Sequence, residues 1–115
     1  YCRPQVASFG LTEQAARETG RLFKVGKFPM RANGKALGLG EVEGFTKVLV
    51  DEEHGEILGA HIIGPEATEV LGELSLARFL EGTAREVGWM VHSHPTVSET
   101  VKEAALAAQG EAIHI

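Results

Sequence analysis

The chain has 115 residues, of which 43% are hydrophobic and 23% charged, a composition suited to one domain with a single core. Sixteen acidic residues outnumber eleven basic ones, and the net charge of -5 argues against a nucleic-acid surface because no basic stripe is present to neutralise phosphates. The one cysteine, Cys2, excludes an internal disulfide, and neither an apolar run of membrane-spanning length nor a signal-peptide pattern occurs.

The first part of the chain predicts two strands separated by a helix. Residues 6–9 are a short apolar run that predicts a strand, and a helix is expected over residues 12–17. Residues 21–28 alternate loosely and are followed by a proline, which favours a second strand. Residues 30–44 are rich in glycine, and only a turn at Asn33-Gly34 is predicted there.

The middle of the chain predicts an antiparallel hairpin. Residues 45–50 and 57–63 are the clearest strands, and the loop 51–55 between them contains a glycine. In the second strand, His61 is expected to share a face with Ile57. A histidine in this position is more often a core or interface residue with local partners than a catalytic group.

The second half of the chain has helical spacing. Apolar residues recur at intervals of three and four over residues 66–80, and Leu76 and Phe79 widen the apolar stripe enough to suggest contact with a second chain. Thr83 and Glu86 form a capping box that predicts a short helix. Strands first and helices afterwards predict an α+β domain with an antiparallel sheet and packed helices.

Residues 92–99 concentrate groups that can move a proton or bind a metal. Thr96 and Glu99 predict a second capping box and a helix that begins directly after Thr96. Pro95 prevents this helix from continuing back through His94, which is expected to be extended. An extended histidine followed by a helix can bring its ring to the carboxylate of Glu99, which would fix the tautomer and raise the basicity of the ring. Glu99 acting only as a helix cap is the plain alternative.

The run His94-Pro95-Thr96, followed by Ser98-Glu99, resembles the C-terminal signature of the flavin-dependent pyridine nucleotide-disulfide oxidoreductases. The alanine-rich continuation over residues 101–108 and the ending 112–115 are most similar to the dihydrolipoamide dehydrogenases within that family. The likeness covers essentially the whole chain but only the last part of the family's enzymes, the interface or dimerisation domain. Residues 1–115 are therefore expected to be a single C-terminal domain of a longer protein, consistent with a first residue that is not Met.

The resemblance implies roles for the residues around His94. His94 would be the acid–base residue that takes a proton from the dithiol substrate, Glu99 would orient it, and His92 and Thr96 would support the site. A cis peptide is implied between His94 and Pro95, with their backbone near the flavin of the other subunit. FAD and NAD are implied as cofactors of the full-length enzyme, bound mainly by domains that precede this chain. Alone, the chain is expected to be inactive.

The resemblance also implies partners and a location. We expect a homodimer that associates with a 2-oxo acid dehydrogenase complex, and we expect no nucleic-acid or membrane partner. The expected location is the cytoplasm, or the mitochondrial matrix in a eukaryote. The related glutathione and mercuric reductases are the alternative within the family. Lipoamide is favoured because the likeness extends to the last residue and the chain ends without the cysteine pair of the mercuric enzymes.

A zinc hydrolase is the alternative from another class. The stretch 91–95 is also similar to the metal-binding segment of JAMM-type metalloproteases, in which two histidines two residues apart bind zinc. Those enzymes need an aspartate three residues after a downstream serine, whereas the only aspartate here is Asp51, far upstream. Unless Glu99 or His114 replaces it, the third ligand is missing, and no metal is expected.

Overall fold

The computed structural model describes residues 1–115, and its centre is a four-stranded antiparallel sheet. The strands are β1 (Gln5–Gly10), β2 (Phe23–Pro29), β3 (Phe45–Asp51) and β4 (Ile57–Gly64). Their order across the sheet is β1-β4-β3-β2, so β3 and β4 lie in the middle while β1 and β2 form the edges. All neighbouring strands run antiparallel. The predicted α+β class with an antiparallel sheet is confirmed.

The hairpin of β3 and β4 contains one irregularity. Leu49 pairs with Gly59, but the next residue, Val50, pairs with Ile57, so that Leu58 is an extra residue on β4. Because a bulge adds one residue, side chains on its far side point to the opposite face from the one that strict alternation along the strand would give.

The bulge moves Ile57 to the other face of the sheet. Ile57 belongs to the main core together with Ile62, whereas Leu58 lies in a small cluster on the opposite face. The prediction that His61 shares a face with Ile57 is therefore wrong, because strict alternation was assumed through the bulge. His61 is half-buried, and its Nε2 lies 2.9 Å from the carbonyl oxygen of Leu11.

Five helices cover the sheet. They are α1 (Glu13–Glu18), α2 (Gly34–Leu39), α3 (Ala67–Phe79), α4 (Ala84–Trp89) and α5 (Glu99–Gln109), with a single 3₁₀ turn at Met30–Ala32. On one face, α3 packs against β1 and β4, α5 packs against β2 and β3, and α4 packs on α5, so the main core lies between this face and three helices. On the other face, Ala16 of α1 packs with Leu49 and Leu58. No helix combines the length and apolar character that crossing a membrane requires.

Small residues let α5 lie very close to the sheet. A Cβ added to Gly26 of β2 would lie 1.8 Å from the carbonyl oxygen of Ala104, so only glycine fits at this crossing. The face of α5 toward the sheet is buried and made largely of alanine: Val101, Ala104, Ala105 and Ala108. The close approach fixes the position of α5, whose first residue is Glu99.

Local caps decide where two of the shorter helices begin. Oδ1 of Asn33 accepts a hydrogen bond from the Ala36 N–H at 2.9 Å, so Asn33 caps α2. The turn predicted at Asn33-Gly34 is thus a helix start, because asparagine suits both positions. The capping box of Thr83 and Glu86 at α4 is present as predicted.

Candidate functional site

The candidate site lies where the chain enters α5, and its centre is a contact between His94 and Glu99. The Nδ1 atom of His94 lies 2.8 Å from Oε1 and 3.1 Å from Oε2 of Glu99. Glu99 is the first residue of α5, where the helix dipole favours a negative charge. The peptide bond between His94 and Pro95 is cis, as the resemblance implies. The pairing predicted from the sequence is therefore present in the structure.

The start of α5 differs from the predicted capping box. The Thr96 N–H donates to Oε2 of Glu99 at 2.9 Å, which is one half of the box. The other half is missing, because the Thr96 hydroxyl donates to the carbonyl oxygen of Ser93 at 2.6 Å and thereby closes the preceding loop. Residues 97 and 98 form a turn, and the helix begins at Glu99, two residues later than predicted.

The carboxylate of Glu99 determines which nitrogen of the His94 imidazole carries the proton. A carboxylate only accepts hydrogen bonds, so Nδ1 of His94 carries the proton and Nε2 is the nitrogen with a free lone pair. Burial raises the pKa of Glu99, but hydrogen bonds from the Thr96 N–H and from His94 outweigh it and hold the pKa below its ordinary value. The His94 side chain is 77% exposed, against 26% for Glu99. An anchored carboxylate thus holds a histidine whose proton-accepting nitrogen is open to the surroundings.

Asn33 joins the site to the start of α2. Its Nδ2 donates to the carbonyl oxygen of Thr96 at 2.9 Å, while its Oδ1 caps α2. Asn33 is only 4% exposed. The sequence analysis did not identify this residue as part of the site, although an asparagine at a helix start was the available signal.

His92 points away from Glu99 and into the domain. Its side chain is 2% exposed, and its Nε2 lies 2.6 Å from Oε1 of Glu73 on α3. The hydrogen bond with the Glu73 carboxylate raises the pKa of His92 above its ordinary value, against the opposing effect of burial. The sequence analysis did not identify Glu73, because the two residues are 19 positions apart.

A cleft of about 280 Å³ opens beside His94 and Glu99. One of its walls is the C-terminal segment, which is fixed by the buried carboxylate of Glu103. This carboxylate accepts hydrogen bonds from the Ile113 N–H at 3.0 Å, the His114 N–H at 3.1 Å and Nδ1 of His114 at 2.7 Å. Burial raises the pKa of Glu103, but these bonds outweigh it and hold the pKa below its ordinary value. The cleft therefore has a defined shape beside the imidazole.

The zinc alternative gains no support from this arrangement. His92 and His94 contact carboxylates on two different helices, Glu73 of α3 and Glu99 of α5. The structure contains no group of three or more His, Cys, Asp or Glu residues that could hold a metal ion. Asp51, the only aspartate, instead contacts Arg21 at 3.1 Å.

Comparison with known proteins gives matches along nearly the whole chain. The profile of the family described as "Pyridine nucleotide-disulphide oxidoreductase, dimerisation domain" matches residues 1–105. A dihydrolipoyl dehydrogenase of Bacillus subtilis is 51% identical over 114 residues, covering 99% of this chain and 24% of that protein. A dihydrolipoyl dehydrogenase of Corynebacterium glutamicum is 50% identical over 116 residues, covering 99% of this chain and 25% of that protein. The chain thus spans about a quarter of the length of these relatives.

Solved structures share the fold at lower sequence identity. LpdA from Mycobacterium tuberculosis superposes with a TM-score of 0.85 at 23% identity, covering 91% of this chain and 23% of that one. The HOCl-induced flavoprotein disulfide reductase RclA from Escherichia coli superposes with a TM-score of 0.82 at 24% identity, covering 85% of this chain and 22% of that one. These likenesses support the fold described above.

Proposed function

The chain belongs to the family of pyridine nucleotide-disulphide oxidoreductase dimerisation domains, and on that basis we propose that it is the interface domain of a dihydrolipoamide dehydrogenase. In this proposal residues 1–115 form one C-terminal domain that mediates homodimerisation and supplies the acid–base pair His94 and Glu99. The observation that carries the proposed chemistry is the short contact between Nδ1 of His94 and Glu99, which leaves Nε2 free. Identity of about half along the whole chain to dihydrolipoyl dehydrogenases favours lipoamide over the substrates of related disulfide reductases.

The pair His94 and Glu99 suits the deprotonation of a thiol. Nε2 of His94 would take a proton from the dithiol, and the carboxylate of Glu99 would stabilise the imidazolium that results. The product of this step is a thiolate, which is the form of sulfur that attacks a disulfide. Glu99 has the lowered pKa that this role needs, because a partner that stays ionised can balance the positive charge.

The overall reaction in the proposal joins this proton transfer to electron transfer outside the chain. Dihydrolipoamide would lose its two thiol protons and an electron pair as its sulfurs join in a disulfide; NAD+ would take the electron pair and one proton to become NADH, and the other proton would pass to the solvent. FAD, when bound, would supply the electron acceptor close to the dithiol. His94 and Pro95 are exposed residues, which fits a contact with a flavin carried by another subunit. The cysteines and nucleotide sites that complete the reaction are expected in preceding domains.

A second copy of the chain is the partner we propose for its exposed apolar surface. Large apolar side chains are exposed toward the end of α3 and in the segment that leads to the site: Leu76 58%, Phe79 83%, Leu80 68%, Trp89 61%, Met90 45% and Val91 90%. Exposed side chains of this size mark association surfaces when they are grouped. A partner seated on residues 89–91 would lie within a few residues of His94, so the dimer contact and the site adjoin along the chain. We further propose association with a 2-oxo acid dehydrogenase complex in the cytoplasm, or in the mitochondrial matrix of a eukaryote.

The test uses the full-length protein that contains this chain. In His94→Gln, dihydrolipoamide oxidation per bound flavin is expected to fall roughly 100-fold to 10,000-fold, the usual contribution of a general base. Glu99→Gln is expected to lower the rate less, because it removes the orienting partner and leaves the base. His54→Gln is the matched control, since His54 is 72% exposed in the hairpin loop and remote in sequence from the site. Wild-type rates in a flavin-loaded His94→Gln dimer would refute the proposed role.

A further inference from the structure

The buried ring of His92 has two hydrogen-bond acceptors, one on each nitrogen. Nε2 lies 2.6 Å from Oε1 of Glu73, and Nδ1 lies 3.1 Å from the carbonyl oxygen of Met90. A neutral imidazole carries only one N–H, so beside an ionised Glu73 both contacts can be hydrogen bonds only when the ring carries a proton on each nitrogen. The hydrogen bond with Glu73 also raises the pKa of His92, while Lys102 of α5 acts in the opposite direction. The two contacts and the raised pKa favour the protonated form of His92 beside the Glu73 carboxylate.

This pair is the first of three successive contacts that define the path of the chain into α5. His92 is held by Glu73 on α3, the carbonyl oxygen of Ser93 accepts from the Thr96 hydroxyl, and His94 is held by Glu99 on α5. The pair with Glu73 is the one that joins this segment to another helix on its N-terminal side. The other non-local hydrogen bond of the segment, from Asn33 to the carbonyl oxygen of Thr96, lies beyond His94, so the pair with Glu73 is the one that holds the chain before it.

The position of Glu73 connects the segment to the exposed apolar part of α3. Leu76 follows Glu73 by three residues and Leu80 follows it by seven, so all three lie along one side of the helix. Leu76 and Leu80 are exposed, whereas Glu73 is half-buried against His92. One helix thus presents the apolar surface assigned above to the dimer and also anchors the segment that carries the proposed base.

We propose that Glu73 and His92 form a positioning pair that holds the imidazole of His94 at the angle and depth its reaction requires. The inference rests on the proposed function, in which His94 is the base. Neither residue touches the reacting atoms; both act through the backbone of the segment between residues 92 and 94. Misplacing a reacting group by about 1 Å can reduce a rate on the order of 100-fold, so a shift of this segment is large enough to matter.

The experiment compares Glu73→Gln, His92→Gln and the double variant in the full-length enzyme, with Glu69→Gln as the control. Glu69 is an exposed carboxylate on the same helix, so its substitution removes the same charge from α3 without touching the pair. All rates are measured per flavin-loaded dimer, so that unfolded material does not enter the comparison. The readouts are kcat and KM for dihydrolipoamide and the pH dependence of kcat.

A positioning role predicts a specific pattern. Each single variant is expected to lower kcat on the order of 10-fold to 100-fold, with KM changed less than about 2-fold and the apparent pKa of the base displaced. The double variant is expected to lose no more than the worse single variant, because both changes break one contact. Glu73→Asp keeps the charge but shortens the side chain, and it is expected to give an intermediate kcat. Glu69→Gln is expected to match the wild type.

Two outcomes overturn the inference in different ways. If His94→Gln abolishes activity while flavin-loaded Glu73→Gln, Glu73→Asp and His92→Gln dimers keep the wild-type kcat and pH profile, the pair serves stability alone and the inference fails. If His94→Gln itself retains wild-type activity, the proposed function fails, and the inference fails with it. Should Glu73→Gln yield no loaded dimer, the kcat of Glu73→Asp decides between these outcomes.

Discussion

Replacing Gly26 with alanine would test how closely α5 lies on the sheet. The added Cβ would sit 1.8 Å from the carbonyl oxygen of Ala104 and 2.5 Å from the backbone nitrogen of Ala108. Ordinary contact begins at about 3.4 Å, so α5 or β2 must move by about 1.6 Å. Both obstacles are backbone atoms of one helix, which no side-chain rotation can relieve.

The size of the effect follows from two opposing terms. Overpacking a core typically costs about 1–3 kcal/mol, and the upper part of this range applies because the whole of α5, whose inner face is fully buried at residues such as Val101, must shift off the sheet. Alanine also reduces the freedom of the unfolded chain, which returns roughly 0.4–1 kcal/mol. We expect Gly26→Ala to lower the free energy of unfolding by about 2 kcal/mol.

Urea unfolding followed by circular dichroism measures this difference, and Gly72→Ala is the matched control. Gly72 lies inside α3, and a Cβ there would meet nothing within 4 Å. Since alanine is the better helix former, Gly72→Ala is expected to raise stability by roughly 0.5–1 kcal/mol. The same glycine-to-alanine change is thus expected to lower the free energy of unfolding at position 26 and to raise it at position 72. A Gly26→Ala chain as stable as the wild type would show that α5 does not lie where the structure has it.

Two further changes probe the C-terminal segment and the core. Glu103→Gln is expected to lower the free energy of unfolding by about 1–3 kcal/mol at pH 7, because it weakens the contacts with Ile113 and His114. Because the pKa of Glu103 is lowered in the folded chain, its contribution to stability is present above the ordinary pKa of 4.5 and is lost as the pH falls through the folded-state pKa. In urea titrations below pH 4.5, the free energy of unfolding of the variant should therefore fall less steeply with acid than that of the wild type. Equal slopes would contradict this. Leu74→Ala, at a fully buried position of α3, is expected to cost about 2–5 kcal/mol, whereas Leu76→Ala, at an exposed one, should stay within roughly 0.5 kcal/mol in the monomeric chain. Equal losses at the two leucines would refute the assigned burial.

Features determined by neighbours in the chain could be predicted from the sequence. The β3–β4 hairpin and α3 follow from alternation and helical spacing, and the capping box at Thr83 and Glu86 is a pattern of four residues. The contact between His94 and Glu99 belongs to the same class, because five positions separate the partners and proline and the helix start restrict the path between them. The roles of these residues in catalysis remain predictions.

Features that depend on distant partners could not be predicted. Glu73 meets His92 across 19 positions, and Asn33 meets Thr96 across 63, so no local pattern indicates either contact. The bulge at Leu58 depends on how β4 pairs with β3, and the sequence alone does not reveal where alternation is interrupted. The hydroxyl of Thr96 could either complete the capping box with Glu99 or donate to the preceding loop. In the fold it donates to the carbonyl oxygen of Ser93.

The order of the strands leaves the sheet with two unequal borders. β2 carries the exposed Lys24 and Lys27, and charges of this kind oppose the addition of a further strand from another molecule. β1, with the sequence QVASFG, has no charged residue, and its Val6 is 56% exposed. The β2 edge therefore opposes aggregation through its own lysines. The β1 edge is the one at which newly made, incompletely folded copies of the chain can pair and aggregate at high concentration.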